Sequence, residues 1–254
     1  MTSAEEQAEE QKELSLIDHL IELRDRILKC VIVIVLLFLC LFPFANEIYT
    51  YVATPLIAAL PENATMIAID PTSPFFAPFK LTFYAALVIS APLILYQLWS
   101  FIAPGLYKNE KAVAVPLFIS SVVLFYAGIA FARYVLFGIV FRFFISVAPE
   151  DIAVAPDISS FLSFALTIFF AFGLAFEVPV AVFLFIWAGL AEPDALTQKR
   201  PYVVVGCFII AMLLTPPDPF TQSMLALPMW ALFEVGILAG RIMLKRQQPE
   251  DATS

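Results

Sequence analysis

From Ile158 to Leu190 the chain carries one charge, Glu177, over roughly 33 residues, or about 50 Å of helix at 1.5 Å per residue. A hydrocarbon layer about 30 Å thick takes roughly 20 helical residues to cross, so such a run is a membrane span with length to spare, and it must tilt or bend. Five further windows of the same kind follow helical rather than alternating hydrophobicity. The six candidate spans are 27–45, 75–101, 112–132 or on to 145, 159–190, 201–216 and 221–240. With 61% apolar residues and a mean hydropathy of +0.90, the chain lies outside the range of soluble domains. The expected fold is all-α and polytopic, with three parts: an N-terminal segment 1–26 on the membrane surface, a six-helix domain 27–240 and a tail 241–254.

An even number of spans puts both termini on one side, and Lys and Arg decide which. Eleven of the 14 basic residues fall in the N-terminal segment, the loops near 108–111 and 199–200, and the tail. Both termini are therefore expected in the cytoplasm. The first residues are acidic and lack the basic region of a cleavable signal peptide, so no leader is expected to be removed. Lys80 and Arg133, near or within spans, are expected to snorkel to the opposite interface.

The spans are unequal. Tyr202 to Thr215 gives about 21 Å of helix, short of the hydrocarbon thickness, so the bilayer thins beside it or the helix stops inside. Nineteen prolines, many near or inside the spans, predict kinked helices and a curved, cup-like body whose last two helices are short. The long loop after the first span predicts an interfacial helix around 47–60. The approach segment Ser15–Leu28, with apolar residues at helical spacing, is expected to lie along the surface before turning into the first span.

The chemistry-bearing residues are few. One histidine, no CxxC pair, no Walker loop and no GxGxxG leave no expected metal, cofactor or nucleotide chemistry; no catalytic residue and no nucleic-acid partner are assigned. The short acidic stretches around Glu22 and Glu110 share the predicted cytoplasmic face. Two carboxylates there match a pair of guanidinium groups, which bind carboxylates as a fork. Glu177, Thr215 and Gln222 form a polar set inside the spans, expected in the outward half. An acid at such depth marks function or a partner contact. It keeps open a rival reading, a proton-coupled carrier of small solutes using Glu177, and a third, an assembly scaffold without cargo.

The stretches "LIDHLIELRDRIL", "SPFFAPFKLTFY", "SAPLILYQLWSFIAPGLYKNEK", "FAFGLAFEVPV" and "RPYVVVGCFIIAMLLTPPDPFTQSMLALPMWALFEVG" resemble the TatC family, the multi-spanning receptor subunit of the twin-arginine protein translocase. The resemblance covers roughly Leu14 to Arg241. It implies a non-enzymatic receptor that binds twin-arginine signal peptides of folded proteins at the cytoplasmic face. It also implies assembly with single-span subunits of the TatA and TatB type, self-association in a larger complex, contact with membrane lipid, and export driven by the proton motive force. Carried over by motif, signal binding falls on Glu22 and Glu110, with Arg24, Phe101 and Pro104 in the same motifs. Partner-helix docking falls on Glu177, Thr215, Gln222 and Met212, and outward-loop function on Pro55 and Asp218. The loop reads "YKNEK" where relatives often carry His and Arg.

Overall fold

The computed structural model describes residues 2–57, 66–102, 111–147, 155–215 and 218–247. The first helix, α1, covers Thr2–Leu41. It contains neither glycine nor proline, so nothing in the sequence interrupts its hydrogen-bond ladder, and the expected turn from a surface segment into the first span does not occur. A single 3₁₀ turn, Phe42–Phe44, built around Pro43, leads into α2, Ala45–Ile57. The expected helix near 47–60 is thus present, joined to the first span rather than set apart from it.

The remaining helices follow the predicted windows, with ends that differ by a few residues and a last helix that runs further. They are α3 (Ser73–Ile102), α4 (Lys111–Phe131), α5 (Phe137–Val147), α6 (Ile158–Ala175), α7 (Val178–Trp187), α8 (Pro193–Gln198), α9 (Arg200–Leu214) and α10 (Pro219–Gln247). A π-helical stretch, Ala132–Leu136, joins α4 to α5 in one span reaching Val147, so Arg142 lies in a helix and not in the outward loop. Among the described residues five helical stretches are long and apolar enough to cross a membrane, and α9 is a shorter apolar helix beside them. The last helix continues past its apolar part to Gln247 and carries Glu234. Below, the near face is the one holding the start of the first span; the far face is opposite.

Span four bends where its sequence provides for it. Phe176 and Glu177 separate α6 from α7, and Pro179, lacking an amide hydrogen, sits in the first turn of α7. Neighbouring backbones approach closely at small residues, which is how helices gain packing contact where lipid supplies no hydrophobic drive. A methyl on Gly128 would lie 2.3 Å from the Phe172 carbonyl oxygen, one on Gly236 2.9 Å from the Pro179 backbone, and one on Gly240 2.4 Å from Ile186. These contacts fix α4 against α6 and α10 against α7. The main core holds Leu136, Phe137, Phe161, Leu162, Ile168 and Phe172.

At the far face, Asp157 caps α6, accepting from the Ser160 amide at 2.9 Å and its hydroxyl at 2.8 Å. Its carboxylate also accepts from the Ile69 amide at 3.2 Å, and the Ile67 and Ile158 backbones pair beside it. These bonds to the ionised form hold the Asp157 carboxyl below the ordinary aspartate range.

Candidate functional site

Glu22 lies on α1 near the near face, four residues before Arg26, the spacing that stacks two side chains on one side of a helix. Arg26 donates to Glu22 Oε1 from Nε at 3.0 Å and from Nη2 at 2.5 Å. Its guanidinium reaches across to the end of α3 as well, to Gln97 Oε1 at 3.2 Å and the Ser100 carbonyl at 3.1 Å. One carboxylate oxygen is thereby fixed by a cation that is itself anchored on a neighbouring helix. The other, Oε2, faces His19 Nδ1 at 3.9 Å, and the Glu22 side chain remains 40% exposed. The His19 ring stacks on Phe101, centroids 4.2 Å apart, which sets an aromatic surface beside the carboxylate.

Arg24 points elsewhere. It pairs with its neighbour Asp25 at 2.8 Å in an exposed contact, so Arg26 and not Arg24 orients Glu22. Pro104 and Glu110 lie outside the described residues, as do the residues between them. The 22–26 spacing identifies Arg26 in the sequence; the tertiary partners Gln97 and Ser100, and the stacked His19, have no local signal.

Glu177 occupies the break between α6 and α7. Its Oε2 accepts a short hydrogen bond from the Ser121 hydroxyl on α4, which in turn accepts from Trp99 Nε1 on α3 at 3.2 Å. Its Oε1 is buried without a hydrogen-bond partner among the described residues. Thr215 and Gln222 belong to another layer. Thr215 donates to the Ala211 carbonyl at 2.8 Å, and Gln222 donates to the Phe208 carbonyl at 3.0 Å, tying α10 to α9.

The expectation that all three share the outward half fails on register. Gly236 touches Pro179 and Val182. Gln222 precedes Gly236 on α10 by about 14 residues, or about 21 Å, which puts it about 18 Å farward of Glu177. Span four enters at the far face, so an acid 19 or so residues along it has already passed the middle. Met212 is 48% exposed and Leu213 76% exposed on α9, presenting an apolar flank beside Thr215.

Asp218 caps α10. It accepts from the Thr221 amide at 2.8 Å and takes a short hydrogen bond from the Thr221 hydroxyl. Pro55 lies within α2. Lys80 donates to the Ser163 hydroxyl at 2.8 Å, and Arg133 sits between the rings of Tyr51 and Tyr134. Window reading passed over Glu234, which binds Arg200 in a two-bond fork at 2.6 and 2.5 Å and joins α9 to α10 near the near face. Its signal was a lone acid in an apolar run, the same one that singled out Glu177. Among the described residues no group of three or more His, Cys, Asp or Glu is placed to hold a metal ion.

The family model described as Sec-independent protein translocase protein (TatC) matches residues 18–228. A Sec-independent protein translocase protein TatC of Azotobacter chroococcum is 54% identical over 238 residues, covering 94% of this chain and 93% of its own length. That of Escherichia coli K12 is 55% identical over 226 residues, covering 89% and 88%. A crystal structure of the twin arginine translocase receptor TatC superposes with a TM-score of 0.81 at 32% identity, over 89% of this chain and 99% of that one.

Proposed function

The chain belongs to the TatC family of Sec-independent protein translocase proteins, and from that premise we propose that it is the receptor that reads the twin-arginine signal of folded proteins at the cytoplasmic face of the inner membrane. As a translocase component it is a transport protein, and its work is recognition rather than bond chemistry. The observation that carries the proposal is the Glu22 carboxylate, with one oxygen held by Arg26 and the other exposed beside the His19–Phe101 stack. An incoming guanidinium donates to Oε2 in the plane of the carboxylate and lays its face toward the aromatic pair. A second guanidinium needs a second acid, the role assigned to Glu110. Arg24 adds to the exposed charge around the site, Phe101 forms its aromatic wall, and Pro104 is assigned to signal binding with them.

Assembly with single-span subunits, and with further copies of the chain, uses the intramembrane polar groups. The unpartnered Glu177 Oε1 offers one hydrogen-bonding position, and Thr215, Gln222 and the exposed Met212 flank offer another nearer the far face. Bonds between helices at such depth have no water to compete with. Asp218 supports this end by capping the start of α10, and Pro55, within α2, is assigned to the same outward side. Export is then driven by the proton motive force, with both termini cytoplasmic.

The test replaces Glu22 and Glu110 by Gln, singly and together, and measures crosslinking to a photo-reactive twin-arginine peptide and export of a folded reporter. The double variant is expected to lose both, and a peptide with Lys for the two arginines is expected to bind the unaltered chain weakly. Undiminished crosslinking in the double variant refutes the assignment.

A further inference from the structure

Two adjoining apolar hollows lie between α2, α3, α4, α6 and the helices beside them. The first, about 340 Å³, lies among Leu81, Tyr84, Val88, Ile129 and Phe170, and Arg133 lines it too. The second, about 490 Å³, lies among Phe170, Leu174, Val178, Leu214 and Met229. They share Tyr84 and Phe170, so they are two branches of one trough.

Arg133 is the feature that packing does not explain. Among the described residues no carboxylate lies within ion-pair distance of it. Its Nε is buried with no partner, and its one hydrogen bond is a long one, 3.4 Å from Nη2 to the Tyr51 carbonyl. Its guanidinium carbon stands 5.6 Å from the Tyr51 ring centroid and 5.5 Å from that of Tyr134, and the two phenol oxygens are 3.4 Å apart beside it. A charge kept at membrane depth without a counterion is costly, unless an anion from outside the chain completes it.

Depth says where that anion comes from. Ser121 bonds Glu177 and Gly128 touches Phe172, and extending this register along the antiparallel pair puts Arg133 about level with Thr167. Gln222, near the start of α10, falls at about the same level by the contact of Gly236 with Pro179. Arg133 therefore lies level with the far ends of the short α9 and of α10, so a bilayer that thins to match those ends brings its far surface to Arg133. Most of the trough, from Tyr84 and Val88 to Leu174 and Val178, lies nearward of Arg133, in the direction in which the acyl chains of a far-leaflet lipid point.

We propose that this trough is a binding site for an anionic phospholipid of the far leaflet, its phosphate on Arg133 and the Tyr51 and Tyr134 hydroxyls and its two acyl chains in the two branches. The guanidinium and two phenols supply donors to phosphate oxygens. Among the described residues no carboxylate lines either branch to pair with a headgroup ammonium. An anionic headgroup is accordingly preferred over a zwitterionic one.

The experiment uses the full chain in nanodiscs of equal parts phosphatidylglycerol and phosphatidylethanolamine, with a diazirine on the acyl chain of one lipid at a time. Labelled positions are read by peptide mass spectrometry. The phosphatidylglycerol probe is expected to label the peptides holding Tyr84–Val88 and Phe170–Val178. Arg133→Gln is expected to lower that labelling at least threefold while labelling of the exposed α1 face, Val31 to Leu39, stays constant. Ala85→Trp, which fills the first branch with Arg133 intact, is expected to reduce labelling of Tyr84–Val88 and keeps the test open if Arg133→Gln does not fold. Unchanged trough labelling in either variant that folds overturns the proposal, as does equal labelling by the two lipids. A photo-reactive residue at position 84 that captures a membrane-spanning protein instead of lipid, in native membranes, overturns it as well.

Discussion

Gly128→Ala is the smallest change that tests how α4 and α6 are held together. The added methyl carbon would stand 2.3 Å from the Phe172 carbonyl oxygen, 2.9 Å from its carbon and 3.0 Å from Phe176 Cβ. The first two are backbone atoms in mid-helix, which no rotamer change can move. Restoring ordinary contact at about 3.4 Å takes a separation of about 1 Å at this crossing, and an overpacked contact of that kind costs about 1–3 kcal/mol. The strain falls on the same seam as the bond from Ser121 to Glu177, two turns away along α4. Gly138 and Gly206 provide the internal control, because nothing lies within 4 Å of a methyl at either. Alanine there is expected to be neutral or to stabilise by up to about 1 kcal/mol, since it replaces glycine within a helix. The assay is thermal unfolding of the three variants in the same mild detergent, read by size-exclusion recovery after heating. Gly128→Ala is expected to melt below the unaltered chain, with Gly138→Ala and Gly206→Ala at or above it. If Gly128→Ala matches the two controls, the close crossing of α4 and α6 is wrong.

Arg26→Gln removes the cation that fixes Glu22 while leaving the carboxylate in place, so signal-peptide affinity is expected to fall roughly tenfold, the effect of about 1.4 kcal/mol; unchanged affinity in a titration with labelled peptide refutes the positioning role. For Asp157 the folded carboxyl is depressed, so its contribution is fully present above the unfolded value near about 3.9 and is lost as pH falls through the lower folded value. Asp157→Asn is expected to flatten the acid limb of a melting-temperature profile between about pH 5 and pH 2, and an identical limb refutes this. Asp218→Ala is expected to cost about 1 kcal/mol by uncapping α10, with Asp218→Asn or Asp218→Ser close to neutral. Equal loss of export in all three at equal stability would mean that the charge itself, and not the cap, is needed.

The spans were legible because their signal is local: a charge-free window long enough to cross a bilayer needs no knowledge of its neighbours. The break in span four was legible for the same reason, from its excess length and Pro179. What misled was inference from loop position to depth. Thr215 and Gln222 lie seven positions apart in sequence, and Glu177 groups with them there only as another polar residue in a span, whereas the crossing contacts at Gly236 and Gly240 set the register that separates them. The surface turn expected before the first span rested on amphipathic spacing, which a continuous helix satisfies equally well when no glycine or proline stops it. Glu22 was found by its motif, and the four-residue step to Arg26 was in plain view. The reach of Arg26 to Gln97 and Ser100 was not, because it spans more than 70 positions of chain.

The end of α3 joins the two constellations that the sequence treats as separate. On one side, Gln97 and the Ser100 carbonyl hold Arg26 and through it Glu22; on another, Trp99 holds Ser121 and through it Glu177. A signal peptide that loads Glu22 Oε2 alters the pull of the carboxylate on Arg26, which holds Gln97 and the Ser100 carbonyl, and a helix end that shifts in response carries Trp99 with it. Trp99→Phe deletes the indole donor and keeps most of the aromatic bulk, so it isolates this link. In a cycle with Glu22→Gln, with signal-peptide binding as the readout, a rigidly shared helix end predicts a coupling of about 0.5–2 kcal/mol, whereas independent sites add within about 0.5 kcal/mol. The same cycle built with Trp230→Phe is expected to be additive, because Trp230 Nε1 has no partner among the described residues and lies on α10. Additivity in the Trp99 cycle would leave Glu22 and Glu177 as two sites that share a helix without sharing its motion.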